Sequence, residues 1–166
     1  GDLYAKNYGE SFEQVSEATG AVLSSLGNFS DDGAGAIEAL TTKALTLSQV
    51  FGLDVNEAAQ AANAAIRNGL AKDGPEAFDL IGAALQRVPA QMRDELIPVM
   101  DEYGGVLGSM GFTGAEAFGL IVNASESGAI SMDKAGDAIK EFGIRATDLG
   151  DKGAQDALEA MGLSGQ

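Results

Sequence analysis

Apolar residues recur at spacings of three and four along almost the whole chain, and alternating runs of the β type are nearly absent. The pattern falls into blocks, each opened by a residue able to cap a helix and most closed by a glycine. Ser11-Phe12-Glu13-Gln14 has the form of a capping box, and the block behind it places Phe12, Val15, Val22, Leu23 and Leu26 on one stripe before Gly27 ends it. Gly20, inside this block, costs about 1 kcal/mol relative to alanine, which close approach of a neighbouring helix would offset. Ser30, Asp31 or Asp32 can cap a second helix, in which Ile37, Leu40, Ala44, Leu47 and Phe51 share a face up to Gly52. Asp54-Val55-Asn56-Glu57 opens a third, rich in alanine (Ala58, Ala59, Ala61, Ala62, Ala65) and running to about Asn68 before Gly69.

Asp73-Gly74-Pro75-Glu76 starts the fourth helix, with proline where a missing N–H removes no bond. Its stripe is Ala77, Leu80, Ile81, Ala84, Leu85 and Val88, and Pro89 ends it. Residues 90–96 read as a short helix. Pro98 then reads as the start of a separate one, because a proline in mid-helix costs about 3 kcal/mol. That helix carries Val99, Met100, Tyr103 and Leu107, with Gly104-Gly105 as a point of weakness and kinking. Thr113-Gly114-Ala115-Glu116 caps the next, with Phe118, Ile121 and Val122 apolar, ending before Gly128. Ser131 caps a helix with Met132, Ala135, Ile139 and Phe142 on its stripe, closed by Gly143. A last helix, over about 151–161, would bury Ala154, Leu158 and Met161 and stop at Gly162. Gly82, Gly119 and Gly136, within helices, read as sites of close packing, with a soft hinge as the alternative. The expectation is an all-α fold, a compact multi-helix bundle of about seven to nine short helices joined by glycine-capped corners. Residues 1–10 read as a loosely ordered lead-in and 11–163 as a single helical domain. A start at Gly1 without methionine reads as a fragment of a longer chain.

The corners share a grammar. Phe51-Gly52-Leu53-Asp54, Met110-Gly111-Phe112-Thr113 and Met161-Gly162-Leu163-Ser164 each run apolar, glycine, apolar, cap, and Leu26-Gly27-Asn28-Phe29-Ser30 follows with one residue inserted. Glycine takes the left-handed conformation after the last turn, the apolar residue folds back on that turn, and the polar residue caps the next helix. Laying Phe51–Ile81 over Met110–Ile139 pairs Glu57 with Glu116 and Gly69 with Gly128. Two readings follow: a duplicated three-helix unit with pseudo-repeats at about 36–88 and 98–143, or a chance likeness between capped, glycine-closed helices.

Composition narrows the chemistry. The 166 residues include no cysteine and no histidine, which removes thiolates, imidazole bases and the usual zinc ligands. The formal net charge is −15, and the ten basic residues are scattered, which argues against a nucleic-acid backbone as ligand. Solubility accounts for the acidity; the sharper alternative is separation from like-charged walls or pairing with a basic partner. No apolar run approaches the roughly 18 residues of a transmembrane span, and the longest, Ala117–Val122, stops at Asn123. Asp94-Glu95 and Asp101-Glu102 are dense enough for an acid/base pair of the glycosidase kind. With no aromatic sugar platform beside them they read as a solvated helix face. Asp148 to Asp156 lacks the alternation of oxygen ligands and the closing glutamate of a calcium loop. Gly33-Ala34-Gly35 follows no strand and precedes no Gly-Lys-Ser/Thr, so it is a helix entry and not a phosphate cradle. No catalytic, cofactor-binding or metal-binding residue is assigned.

The run Ala129-Ile130-Ser131-Met132-Asp133-Lys134-Ala135-Gly136-Asp137-Ala138-Ile139-Lys140-Glu141-Phe142, continued by Gly143-Ile144-Arg145-Ala146-Thr147-Asp148, resembles a segment of tail tape measure proteins of tailed phages and prophages. Asp101-Glu102-Tyr103 followed by Met110-Gly111-Phe112 resembles the element that precedes it in that family, and Ala39–Gly69 fits the portion before that. The family often has Phe or Asn where this chain has Ile130 and Ser131. The resemblance implies a virion structural protein that sets tail length during assembly in the host cytoplasm, occupies the tail tube and leaves through it at infection. It also implies the tube protein, assembly chaperones and tail-tip proteins as partners, with self-association a further expectation. Some members carry peptidoglycan hydrolase domains, but no matching residues occur here. The competing reading is an all-helical protein-interaction module of a non-phage bacterial protein, and a third class is a carboxylate hydrolase.

Overall fold

The computed structural model describes residues 11–27, 34–126 and 131–147, together with 152, 153 and 156. Among the described residues there are seven α-helices and no strand. They are α1 (Phe12–Leu26), α2 (Ala34–Phe51), α3 (Val55–Arg67), α4 (Gly74–Arg87), α5 (Arg93–Ser109), α6 (Gly114–Glu126) and α7 (Met132–Thr147), with a 3-10 turn at Ala90–Met92 before α5. The expected capping of α2 by Ser30–Asp32, the helix over 151–161 with Ala154, Leu158 and Met161, the corner at Gly162 and the Asp148–Asp156 stretch lie outside the described residues, apart from single helical positions near 152–156.

Local chemistry sets most helix starts. Ser11 accepts from the Gln14 N–H, Asp54 from those of Asn56 and Glu57, and Asp73 from that of Glu76, while Glu76 accepts from the Lys72 N–H. The Ser11, Asp54 and Asp73 bonds each satisfy a first-turn donor that has no partner within the helix, and the Glu76 bond fixes the residue ahead of the cap. Three helix ends use glycines with positive φ: Gly52 at 75°, Gly69 at 72° and Gly111 at 85°. At Gly69 the N–H bonds to the Ile66 carbonyl and the Leu70 N–H to that of Ala65; at Gly111 the matching pair runs to Gly108 and, from Phe112, to Leu107. Both are Schellman closures, with Leu70 folded onto Ala65 and Phe112 onto Leu107. Gly52 makes the simpler single bond, to the Ser48 carbonyl. Gly27 departs from the expected grammar: it is right-handed (φ −56°) and bonds to the Leu23 carbonyl as one more helical residue would.

A continuous core runs from Val22 and Leu26 of α1 through Leu40, Ala62, Phe78, Ile81, Leu96 and Tyr103 to Ile121 and Val122 of α6. Val15, Ala18, Leu45 and Val55 form a satellite cluster where α1 meets α2 and α3. The alanines of α3 (Ala58, Ala59, Ala62) are fully buried, which lets that helix pack closely against α1, α4 and α5. Helix α7 lies across α5 and α6.

Several expectations need correcting. Phe12 and Leu23 are 64% and 52% exposed, because the buried stripe of α1 follows Val15, Ala18, Val22 and Leu26 and leaves both on its flank. Gly20 has open space where a Cβ would stand, so no close neighbour offsets its cost. Residues 90–96 and Pro98 do not belong to separate helices: α5 is continuous from Arg93, with Pro98 inside it. The missing N–H leaves the Asp94 carbonyl without its helical donor, but both residues are exposed and water can serve that oxygen. In return Leu96, Val99, Met100, Tyr103 and Leu107 share one unbroken buried stripe. Gly143 does not close α7, which continues to Thr147; a Cβ there would stand 2.5 Å from the Met110 sulfur. Gly119 has open space where a Cβ would stand and serves no close contact, while a Cβ on Gly82 would meet Leu47 at ordinary contact distance, 3.4 Å.

Candidate functional site

The residues with the densest chemistry in the sequence are not brought together. Asp94, Glu95, Asp101 and Glu102 all lie exposed along α5. Among the described residues no group of three or more acidic side chains could hold a metal ion, and no helix is long and apolar enough to cross a membrane. Of the expected helix entry at 33–35, Gly33 lies outside the described residues and α2 begins at Ala34.

What the structure does assemble is a clasp between α5 and α7. Tyr103 lies on the buried stripe of α5 and is 1% exposed. Its ring faces Gly136 of α7, where a Cβ would come within 2.2 Å of Cε2 and 2.3 Å of Cδ2. Only glycine leaves room for the ring at that point. The ring directs its hydroxyl past the glycine toward two carboxylates one helical turn apart. The Tyr103 hydroxyl donates to Asp137 Oδ1 at 2.8 Å, with Asp133 Oδ1 as a second, longer acceptor at 3.4 Å. Lys140 Nζ stands 5.9 Å from the ring centroid, near the outer limit of a cation–π contact. Burial pushes the Tyr103 hydroxyl well above its ordinary pKa of 10.0, and the hydrogen bond to Asp137 and the nearby charges of Asp137, Glu102 and Asp133 push it further the same way. A phenol held so firmly neutral is a hydrogen-bond donor and not a nucleophile or base at physiological pH. The clasp is therefore an attachment between helices.

Glycines make two more such approaches around the turn that follows α3. The turn Asn68-Gly69-Leu70 is gripped by α5 and the start of α6: a Cβ on Gly108 would fall 2.0 Å from the Asn68 carbonyl oxygen, and one on Gly114 would fall 2.0 Å from that of Leu70. Gly104, at the expected kink, instead faces Asn68 and Leu70 inside the continuous α5. At the other end of the core, Arg93 donates from Nε to the Leu85 carbonyl at 3.1 Å and stacks 5.2 Å from the Phe51 ring centroid. It thereby ties the Gly52 corner to the end of α4, beside a cavity of about 140 Å3 lined in part by Leu53 and Ile97. The start of α6 carries a full capping box. Thr113 donates from both its N–H and its hydroxyl to Glu116 Oε2 at 2.8 Å, and the Glu116 N–H returns to the Thr113 hydroxyl at 3.4 Å. The Thr113 N–H and hydroxyl bonds hold the Glu116 carboxyl below its ordinary range.

Sequence reasoning singled out Gly136 as a close contact but not its partner, nor any role for Tyr103 beyond the stripe. The usable signal was the spacing Asp133-x-x-Gly136-Asp137: carboxylates at i and i+4 beside a glycine make a notch for a tyrosine hydroxyl. Two of the elements that carry the family resemblance, Asp101-Glu102-Tyr103 and the run 129–148, are the ones this clasp joins.

Residues 4–166 match the model of the family described as phage-related minor tail protein. The chain belongs to that family. No curated protein and no solved structure matches it. Membership makes the chain a tail component of a phage virion, with a structural role. The helical bundle, its glycine closures and the Tyr103 clasp are thus features of a phage tail protein.

Proposed function

We propose that this chain is a segment of a tail tape measure protein, which contributes without enzymatic activity to tail length, to tail assembly and to passage through the tube at infection. The observation that carries the reading is the way its helices are joined. At Gly52 and Gly111 a helix ends on a left-handed glycine and the next begins within three residues. A rotation of φ and ψ at one glycine converts such a corner into a straighter path while both helices persist. Extended at about 1.5 Å per residue, 166 residues would span on the order of 250 Å. The folded bundle is then the form of the isolated segment, and opening at the corners the form inside the tube. Assembly takes place in the host cytoplasm, and the tube protein, assembly chaperones and tail-tip proteins are the partners; the resemblance of residues 128–148 supports them. The same lengths at the 59-residue offset, 13 residues in both α3 and α6, support a duplicated unit.

An in-frame deletion of this segment in the phage tests the ruler directly. Tails shortened by up to about 250 Å are expected, and tails of unchanged length would refute the ruler. Small-angle scattering tests the folded form: the isolated chain should have a radius of gyration of about 15 Å, whereas a rod of that span would give about 70 Å.

A further inference from the structure

We infer that α7 is a releasable strap, which leaves the bundle as a unit before the rest opens, and that the Tyr103 clasp sets when it does so. Of the α7 side chains described, Ala135 is the buried one, with Ile139 and Phe142 half-covered. Every other helix sinks at least four side chains of its own; α6, for instance, contributes Ala117, Phe118, Ile121 and Val122. Among the described side chains, apolar burial therefore holds α7 less than it holds its neighbours. Among the described contacts, close backbone approach and the polar site at Tyr103 attach it instead. Gly136 lies under Tyr103 and Gly143 under Met110, and the Tyr103 hydroxyl bonds to Asp137 with Asp133 behind it. Both carboxylates are on exposed positions of α7, so release returns them to water at little loss. Tyr103 stays with the core of α5. Segments with few buried apolar contacts and hydrogen bonds near solvent are those that open below the global unfolding free energy.

The use of this strap in a tail rests on the reading proposed above, but the order of release does not. Native-state hydrogen exchange read by mass spectrometry, on the 166-residue chain, tests it without a tail. Amides within Met132–Thr147 should exchange at least tenfold faster than those buried in α3 and α4. Tyr103→Phe keeps the ring and removes the donor, and should speed α7 exchange by a further factor of about ten, equivalent to about 1.4 kcal/mol, with α3 and α4 unchanged. Asp137→Ala should do the same from the other side, and the double variant should add little beyond either single one. Exchange of α7 in step with α3 and α4, or a uniform acceleration by Tyr103→Phe, would overturn the strap. A tail-length result that refutes the ruler leaves this outcome untouched, and the reverse also holds.

Discussion

Gly20 and Gly136 both lie inside α-helices, yet replacing each by alanine should move stability in opposite directions. Alanine is favoured over glycine in a helix interior by about 0.5–1 kcal/mol, through backbone entropy alone. At Gly20 nothing stands within 4 Å of the new Cβ, so that gain should appear whole. At Gly136 the new Cβ would stand 2.2 Å from Tyr103 Cε2 and 2.3 Å from Cδ2, about an ångström or more short of ordinary contact. The ring cannot yield outward, since Tyr103 is 1% exposed and packed within the core. Relief requires α7 to move off α5, at an overpacking cost of about 1–3 kcal/mol. That movement also stretches the bond to Asp137, worth about 1 kcal/mol. After subtracting the helical gain, Gly136→Ala should destabilise by roughly 2 kcal/mol. For a chain of this length that lowers Tm by roughly 4–8 °C, while Gly20→Ala raises it by about 1–4 °C. Thermal and denaturant unfolding followed by circular dichroism measure both. A rise in Tm for Gly136→Ala, parallel to that of Gly20→Ala, would show that the ring and the glycine are not in contact and would refute the clasp.

Other substitutions probe the remaining features. Pro98→Ala should stabilise by about 1–2 kcal/mol, because it restores the bond to the Asp94 carbonyl and loses only part of that gain to a freer unfolded chain; a loss of stability would mean that the proline ring itself packs. Gly111→Ala forces a left-handed φ of 85° on an L side chain and should cost about 1–2 kcal/mol, whereas Gly27→Ala, at φ −56° and with open space, should not destabilise. Equal effects at the two sites would remove the distinction drawn between those corners. The Tyr103 hydroxyl has a folded pKa raised above 10.0, so the fold favours its protonated form. That contribution is complete below pH 10 and is lost as pH rises past it. Unfolding midpoints measured from pH 9 to 11.5 should fall more steeply for the native chain than for Tyr103→Phe; identical curves would show that the hydroxyl is not in the environment described.

How far the fold can be read from the chain depends on the range of the interactions. Asp54, Asp73 and Thr113 bond to N–H groups two or three residues away, and Gly69 and Gly111 close helices through carbonyls three to five residues back. Such contacts need no knowledge of the rest of the molecule, so most helix starts and ends and the all-α class were legible from spacing and residue type. Gly27 was misread because its sequence grammar admits a left-handed residue without requiring one. Pro98 was misread because its local cost is real, yet the buried stripe from Leu96 to Leu107 outweighs it.

The clasp between Tyr103 and Asp137 was not legible for a different reason. Tyr103 and Asp137 are 34 residues apart, and nothing local orients one toward the other. Gly20, Gly119 and Gly136 look alike in sequence, and only the presence or absence of a neighbour's ring separates them. By itself the sequence determined where most of the helices begin and end, because caps and left-handed glycines act within a turn. The tertiary structure alone decided which faces are buried, which glycines are indispensable and which carboxylates hold a tyrosine, because those depend on how already formed helices pack.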